Sequence, residues 1–258
     1  STPDVQAAWA ELGEHFGGTD DIIPVTYMNS AASLKAFCGE NGGVVCTSSN
    51  AGRVLEWAFE QGRRVFFFPD QHLGRNTGHA MGIPLDQMVL WNWRQPSGSL
   101  GGVDRAALDR SRIILWQGHC SVHQRFSVTQ IESARERYPD AQIVVHPECR
   151  FDVVEAADAQ GSTAYIERYV NEAAAGSVIG VGTEINLVSR LAKEHPDKTV
   201  FCLDPVVCPC STMYRVHPAY MAWVMESLVR GEVVNQVVVP SGQQQHARVA
   251  LERMLALK

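Results

Sequence analysis

The sequence predicts an α/β protein with short parallel sheets covered by helices on both faces. Three observations carry this expectation. Apolar runs of strand length alternate with helical segments through most of the 258 residues. Those runs are almost continuously apolar, as strands buried on both faces are. One strand–helix pattern also occurs twice along the chain, its copies separated by the length of a small domain.

Taken in order, the segment beginning "STPDVQAAWAELGEHF" reads as an amphipathic helix, with Pro3 at its start and Asp4 in its first turn. "IIPVTYMN" is strand-like and "SAASLKAFCGEN" helical. "GVVCTSSN" is a strand running into a cap, "AGRVLEWAFEQG" a helix, and "RRVFFFPD" another buried strand. The stretch "WNWRQPSGSLGG" is rich in turn residues. The alternation resumes with "RIILWQGHC" as a strand, "FSVTQIESARERYPD" as a helix and "AQIVVHPE" as a strand. "RFDVVEAADAQG" and "STAYIERYVNEAA" read as helices, then "SVIGVGTE", "INLVSRLAKEHPD" and "KTVFCLDP" as strand, helix and strand. Asp70 and His72, in "FFPDQHLGRN", are expected on a turn, with structural turn residues preferred over a ligand-facing loop.

Composition narrows the function classes. A hydrophobic share of 45% with 19% charged residues describes a globular chain long enough for two compact domains. The net charge of −6 argues against nucleic acid and anionic membrane surfaces as partners. No apolar run reaches the roughly 18 residues a bilayer requires. The opening segment has neither signal-peptide nor transit-peptide character, so the expected location is the cytoplasm. Seven cysteines, an odd number, point to free thiols, metal ligands or a nucleophile in preference to a disulfide framework.

The repeat places the candidate site. In one copy a strand ends in Tyr27-Met28-Asn29, in the other in His146-Pro147-Glu148. Each copy then passes through a helix to a hydroxyl-rich helix start, Ser48 with its neighbours or Ser162-Thr163. Ligands of open α/β sheets bind at the carboxyl ends of strands, where Tyr27, Asn29, His146 and Glu148 belong. Helix N-termini favour carboxylate or phosphate, which is a role for Ser48, Ser162 and Thr163 beside plain capping. His146 and Glu148, alternating on a strand, suit acid–base work; the other reading has Glu148 paired with Arg150 or Arg168. Glu184, ending "GVGTE", is a further acid at a strand end. Cys120 and the Cys208-Pro209-Cys210 group follow strand ends, too far apart for a zinc ribbon. Such separated thiols suit an iron–sulfur cluster held between domains. Cys46, ahead of a helix start, is the candidate for a nucleophile. Cys38, Cys149 and Cys202 read as buried or incidental.

Together the strings "TYMNSAASLKA", "CTSSNA", "FFPDQHLG", "WQGHCSVHQRF", "VVHPEC", "GSTAYI", "GTEINLVSRL" and "CPCSTMYR" resemble the quinolinate synthase family, over nearly the whole chain and in the family's order. The resemblance implies three similar αβα domains around a pseudo-threefold axis, with a central [4Fe–4S] cluster held by one cysteine from each. It implies condensation of iminoaspartate with dihydroxyacetone phosphate to quinolinate in NAD biosynthesis, an open iron acting as Lewis acid, and an L-aspartate oxidase as the supplier of iminoaspartate. By motif register Cys120 and Cys210 become cluster ligands, with Cys208 as runner-up to Cys210. Tyr27, His146 and Glu148 take catalytic roles. Asn29, Ser48, Ser162 and Thr163 join them in binding substrate. The family's first domain and third ligand cysteine are expected upstream of Ser1, so the chain alone is expected to hold no stable cluster and to have little activity. The corresponding division is a linker helix from that first domain at 1–20, the second αβα domain at 21–116, the third at 117–207 and a C-terminal helical segment at 208–258 returning to the first domain. The alternative is a metal-free module that captures a small dicarboxylate or phosphate.

Overall fold

The computed structural model describes residues 1–206 and 210–257. Its order is α1 (Thr2–Phe16), β1 (Ile22–Tyr27), α2 (Ala32–Glu40), β2 (Val44–Cys46), α3 (Ala51–Gln61), β3 (Arg64–Phe68), α4 (Gln71–Ala80), β4 (Met88–Trp91), α5 (Arg105–Arg110) and β5 (Ile113–Trp116). There follow α6 (Val128–Arg137), β6 (Gln142–Val145), α7 (Phe151–Ala156), β7 (Ala159–Gln160), α8 (Thr163–Glu172), β8 (Val178–Gly182), α9 (Ile185–Glu194), β9 (Thr199–Cys202), α10 (Pro218–Val229) and α11 (Ser241–Ala256). No described helix is long and apolar enough to cross a membrane.

Among the described residues every strand pairing is parallel, in two sheets ordered β2-β1-β3-β5-β4 and β7-β6-β8-β9. The α/β expectation holds. The shared order 2-1-3 followed by a fourth strand is the structural form of the sequence repeat; β4 is an extra edge strand of the first sheet. In the second sheet the alternation of "VIGVG" is informative. Ile179 and Val181 enter the apolar layer against α8 and α9. Side chains at Gly180 and Gly182 would collide with Ile143 or Val145 on the other face.

Three local expectations change. Asp70 and His72 are not on a free turn: Asp70 caps α4, accepting the Leu73 N–H at 2.8 Å, and His72 lies buried in the first helical turn. The pattern concealed this helix because Gly74 and Gly78 weaken it. Each costs about 1 kcal/mol of helix propensity, offset because their bare faces let α4 close on Phe67, Leu115 and Ile113. The turn-rich stretch is a run of turns as expected, lying between β4 and α5. The segment "RFDVVEAADAQG" is helical only to Ala156, and Ala159–Gln160 forms β7. Strand β6 stops at Val145, so His146 and Glu148 share a side through the turn at Pro147 rather than through strand alternation.

The C-terminal helix α11 lies along α2 and β2, adding Ala250 and Met254 to the first core. Gly39 allows that contact, since a Cβ there would overlap the backbone carbonyl of His246. By contrast α10 and its flanks expose Tyr220, Met221, Trp223, Met225 and Val229.

Candidate functional site: a cleft across two sheets

The carboxyl ends of both sheets open into one cleft of about 1170 Å³. Tyr27 and Asn29 arrive from the end of β1, Ser48 from β2, Asp70 from β3, Trp93 and Arg94 from β4, and Cys120 from β5. The second sheet contributes His146 and Glu148 after β6, Thr163 at the start of α8, Thr183 and Glu184 after β8, and Cys210 after β9. Ser162 is the one site residue expected from sequence that does not line the cleft; it is buried and caps α8 through the Tyr165 N–H at 3.3 Å. Ser48 precedes the α3 cap, which is Asn50. Cys208 lies outside the described residues.

The loops are clasped to one another. Asp70, 3% exposed, accepts the Cys120 N–H at 2.9 Å as well as capping α4. Gln71 donates its N–H to the Gly118 carbonyl at 2.9 Å. Burial, reinforced by the nearby Glu148 charge, pushes the Asp70 carboxyl up to about 7 against the opposing pull of these N–H groups.

Beside this clasp sits a histidine–carboxylate cluster. The rings of His123 and His146 stack 4.4 Å apart and nearly parallel. Glu148 Oε2 is 3.3 Å from Nδ1 of each. The contact with His123 is an ion-pair approach rather than a hydrogen bond, and leaves that buried Nδ1 without a hydrogen-bond partner. His123 Nε2 meets Thr183 Oγ1 at 3.1 Å. Burial opposes charge on His123, but the Cys120 thiol and the Glu148 carboxylate outweigh it and lift the ring to about 9. Burial, then the charge of His123, drives His146 well below the usual range. His146 Nδ1 accepts the Glu148 N–H at 3.3 Å, so the neutral ring carries its proton on Nε2. A protonated imidazole, His123 beside Glu148, is thus stacked on a neutral one, His146, which places a proton donor and an acceptor side by side. Glu148 pairs with neither Arg150, which binds Asp152 at 2.6 Å, nor Arg168, whose guanidinium lies over Tyr165.

One ligand atom from each of Cys120, His123 and Glu148 lies within 4.8 Å of the other two, a group able to hold a metal ion. The Cys120 and Cys210 thiols are free and half-buried, and both pack against the same apolar cluster. Tyr27 is buried and its phenol pushed upward by burial and by Glu148, so it enters the cleft as a neutral hydrogen-bond donor. Cys46 does not serve as a nucleophile: it is fully buried at the end of β2, and burial raises its thiol far above neutrality. Cys38 and Cys149 are buried and Cys202 half-buried, in keeping with the incidental reading.

Sequence reasoning missed Asp70, His123, Thr183 and the Trp93–Arg94 pair. The usable signal for His123 was its place three residues after Cys120 in "CSVH", the reach of one helical turn. Asp70 was hidden with α4.

Comparison with known proteins adds identity to this geometry. The family model described as quinolinate synthetase A protein matches residues 2–256. Curated relatives named quinolinate synthase include that of Corynebacterium glutamicum, 58% identical over 98% of this chain and 63% of the relative. That of Rhodopirellula baltica is 50% identical over 98% and 64%, and that of Geobacillus thermodenitrificans 49% identical over 98% and 67%. The chain therefore spans about two thirds of the length of the curated relatives it matches. With a match running through nearly every element that builds the cleft, the chain belongs to the quinolinate synthetase A protein family.

Proposed function

We propose that the cleft is the catalytic site of a quinolinate synthase, which condenses iminoaspartate with dihydroxyacetone phosphate, releasing inorganic phosphate and water as the ring closes. The observation that carries this reading is the meeting of Tyr27, Asn29, Ser48, His146, Glu148, Thr163 and two thiols in one cleft between two sheets. Ser162 supports from beneath by capping the helix that presents Thr163. Neutral His146 accepts a proton at Nδ1 or donates from Nε2, with Glu148 and charged His123 next to it to return or take up the charge. Tyr27 and Asn29 orient the dicarboxylate, and the hydroxyls of Ser48 and Thr163 receive its carboxylate or the phosphate.

The donors present fit an iron–sulfur cofactor. Cys120 and Cys210 are free, half-buried thiols on the same cleft, and Cys120 sits within 4.8 Å of ligand atoms of His123 and Glu148. Cys120 and Cys210 would supply two of the three thiolates of a [4Fe–4S] cluster. When bound, the cluster supplies Lewis acidity at an open iron. An oxidase acting on L-aspartate is the class of enzyme that would supply the imine. The division at 21–116, 117–207 and 208–258 fits this reading, with the apolar surface of α10 as a face for a further αβα domain of the same protein.

The test is anaerobic reconstitution with iron and sulfide, measuring iron, acid-labile sulfide and quinolinate formation, on this chain and on a version extended to the relatives' full length. Iron uptake by the extended protein, lost in Cys120→Ala and in Cys210→Ala, is expected. Extended protein that binds no iron, together with dicarboxylate affinity unchanged in both variants, would replace the reading with metal-free ligand capture.

A further inference from the structure

Strand β4 has no counterpart in the second sheet, and it delivers two side chains to the cleft that the repeat does not explain. Its pairing with β5 runs to Trp91 opposite Trp116. Beyond it the chain is held at many points. Asn92 N–H donates to the Gly101 carbonyl at 3.1 Å, and Asn92 Oδ1 accepts the Arg94 N–H at 3.0 Å. Glu11 of α1 reaches across to accept from Leu100 N–H at 3.0 Å and Ser97 Oγ at 3.3 Å. Gly101, at φ +60°, lies flat against the Trp91 ring, where any Cβ would collide. Within this frame Trp93 stacks on Trp116 at 6.3 Å and 3°, and anchors its indole N–H on the Gln117 carbonyl at 3.1 Å. The Arg94 guanidinium lies over Trp93 at 4.5 Å.

The result is a guanidinium on an aromatic shelf at the cleft rim. Among the described residues Arg94 is the one arginine or lysine lining the cleft, which also carries the carboxyls of Asp70, Glu148 and Glu184. No described carboxylate is in ion-pair contact with it. Protonated His123, also in the lining, is engaged by Glu148, so holding an anionic ligand against three carboxyl groups needs a further fixed cation. A guanidinium stacked by its face keeps its in-plane N–H fork free for a carboxylate or phosphate.

Resting on the catalytic reading of the cleft, we propose that Arg94 is a specificity residue, which grips an oxyanion of the substrate from the rim while the β4 loop and Trp93 fix its position. The experiment is calorimetric titration of the 258-residue chain with two probes, pyridine-2,3-dicarboxylate and glycerol 3-phosphate, in the native protein, Arg94→Ala and Arg94→Lys. A bond between a charged donor and an oxyanion contributes enough to weaken binding by about tenfold or more on removal. Arg94→Ala is expected to do so for at least one probe, and the probe affected identifies the anion. Arg94→Lys is expected to restore at most part of the affinity, because lysine keeps the charge and loses the fork. The melting temperature should not change, since Arg94 is exposed. Unchanged affinity in Arg94→Ala, or full recovery in Arg94→Lys, overturns the proposal. If the native chain binds neither probe, the catalytic reading of the cleft fails first and this inference falls with it.

Discussion

Asn76 is the side chain on which the two sheets most directly depend. It projects from α4 of the first sheet, 2% exposed, and its amide nitrogen donates to the carbonyls of Pro147 and Cys149 at 2.8 Å each. Those carbonyls flank Glu148, so one amide fixes the loop that carries the acid of the cleft. Asn76→Ala removes both donors. A buried carbonyl losing its partner costs about 1–3 kcal/mol, so the pair predicts a loss of about 2–6 kcal/mol. Asn76 Oδ1 is itself buried without a partner, and its removal brings the expected net loss nearer 2. Asn76→Asp keeps the shape and turns a donor into an oxygen facing two other oxygens. It is therefore expected to be worse than Asn76→Ala by at least about 1 kcal/mol, because an unpaired buried charge is costlier than a missing amide. Urea unfolding followed by tryptophan fluorescence, with linear extrapolation, measures both. A loss under about 0.5 kcal/mol in the alanine variant, or an aspartate variant as stable as alanine, would refute the reasoning.

Other substitutions test separate links. Gly39→Ala places a methyl into the His246 backbone, which cannot yield as a side chain would; a loss of about 1–3 kcal/mol, with faster amide exchange confined to α2 and α11, is expected. Ser162→Ala removes the α8 cap and should cost about 1 kcal/mol in the same unfolding assay. Cobalt(II) added anaerobically to the metal-free chain should give thiolate-to-metal absorption through the Cys120, His123 and Glu148 group. Cys120→Ser should abolish that band and His123→Ala should weaken it; a band unaffected by either places the ion elsewhere.

What the sequence made legible follows from burial. "VFFF", "IILW" and "IVV" are unbroken apolar runs because helices cover both faces of each sheet, and period and length were enough to identify them as strands. The repeat was readable because strand ends must present polar groups at the same place in each copy. Helix α4 was not readable. Its sequence QHLGRNTGHA has low helix propensity, and its stability comes from contact with β3 and β5, which a local pattern does not contain. Losing α4 from the reading also hid Asp70 and Asn76, the two polar residues by which it clasps the loops around the site. The packing of α11 on α2 was equally invisible, since it joins segments nearly the whole chain apart.

The same dependence on distant contacts governs the chemistry. Asp70 ends a strand of the first sheet, and Glu148 follows a strand of the second; each is held near the other although they share a sign. Part of the upward push on Asp70 comes from Glu148. Two buried carboxyls from different sheets would separate if only their own charges acted on them. What opposes that separation is the N–H of Cys120 and the α4 N-terminus on Asp70, His123 on Glu148, and Asn76 between the two sheets. These contacts do not all act on the same acid. Releasing Asn76 loosens the Glu148 loop and leaves Asp70 capped, so Asn76→Ala should reduce cobalt affinity at Cys120, His123 and Glu148 even in conditions where the variant remains folded. Undiminished cobalt affinity in folded Asn76→Ala would mean that His123 alone positions Glu148, and that the two sheets are joined at the site more loosely than the hydrogen bonds indicate.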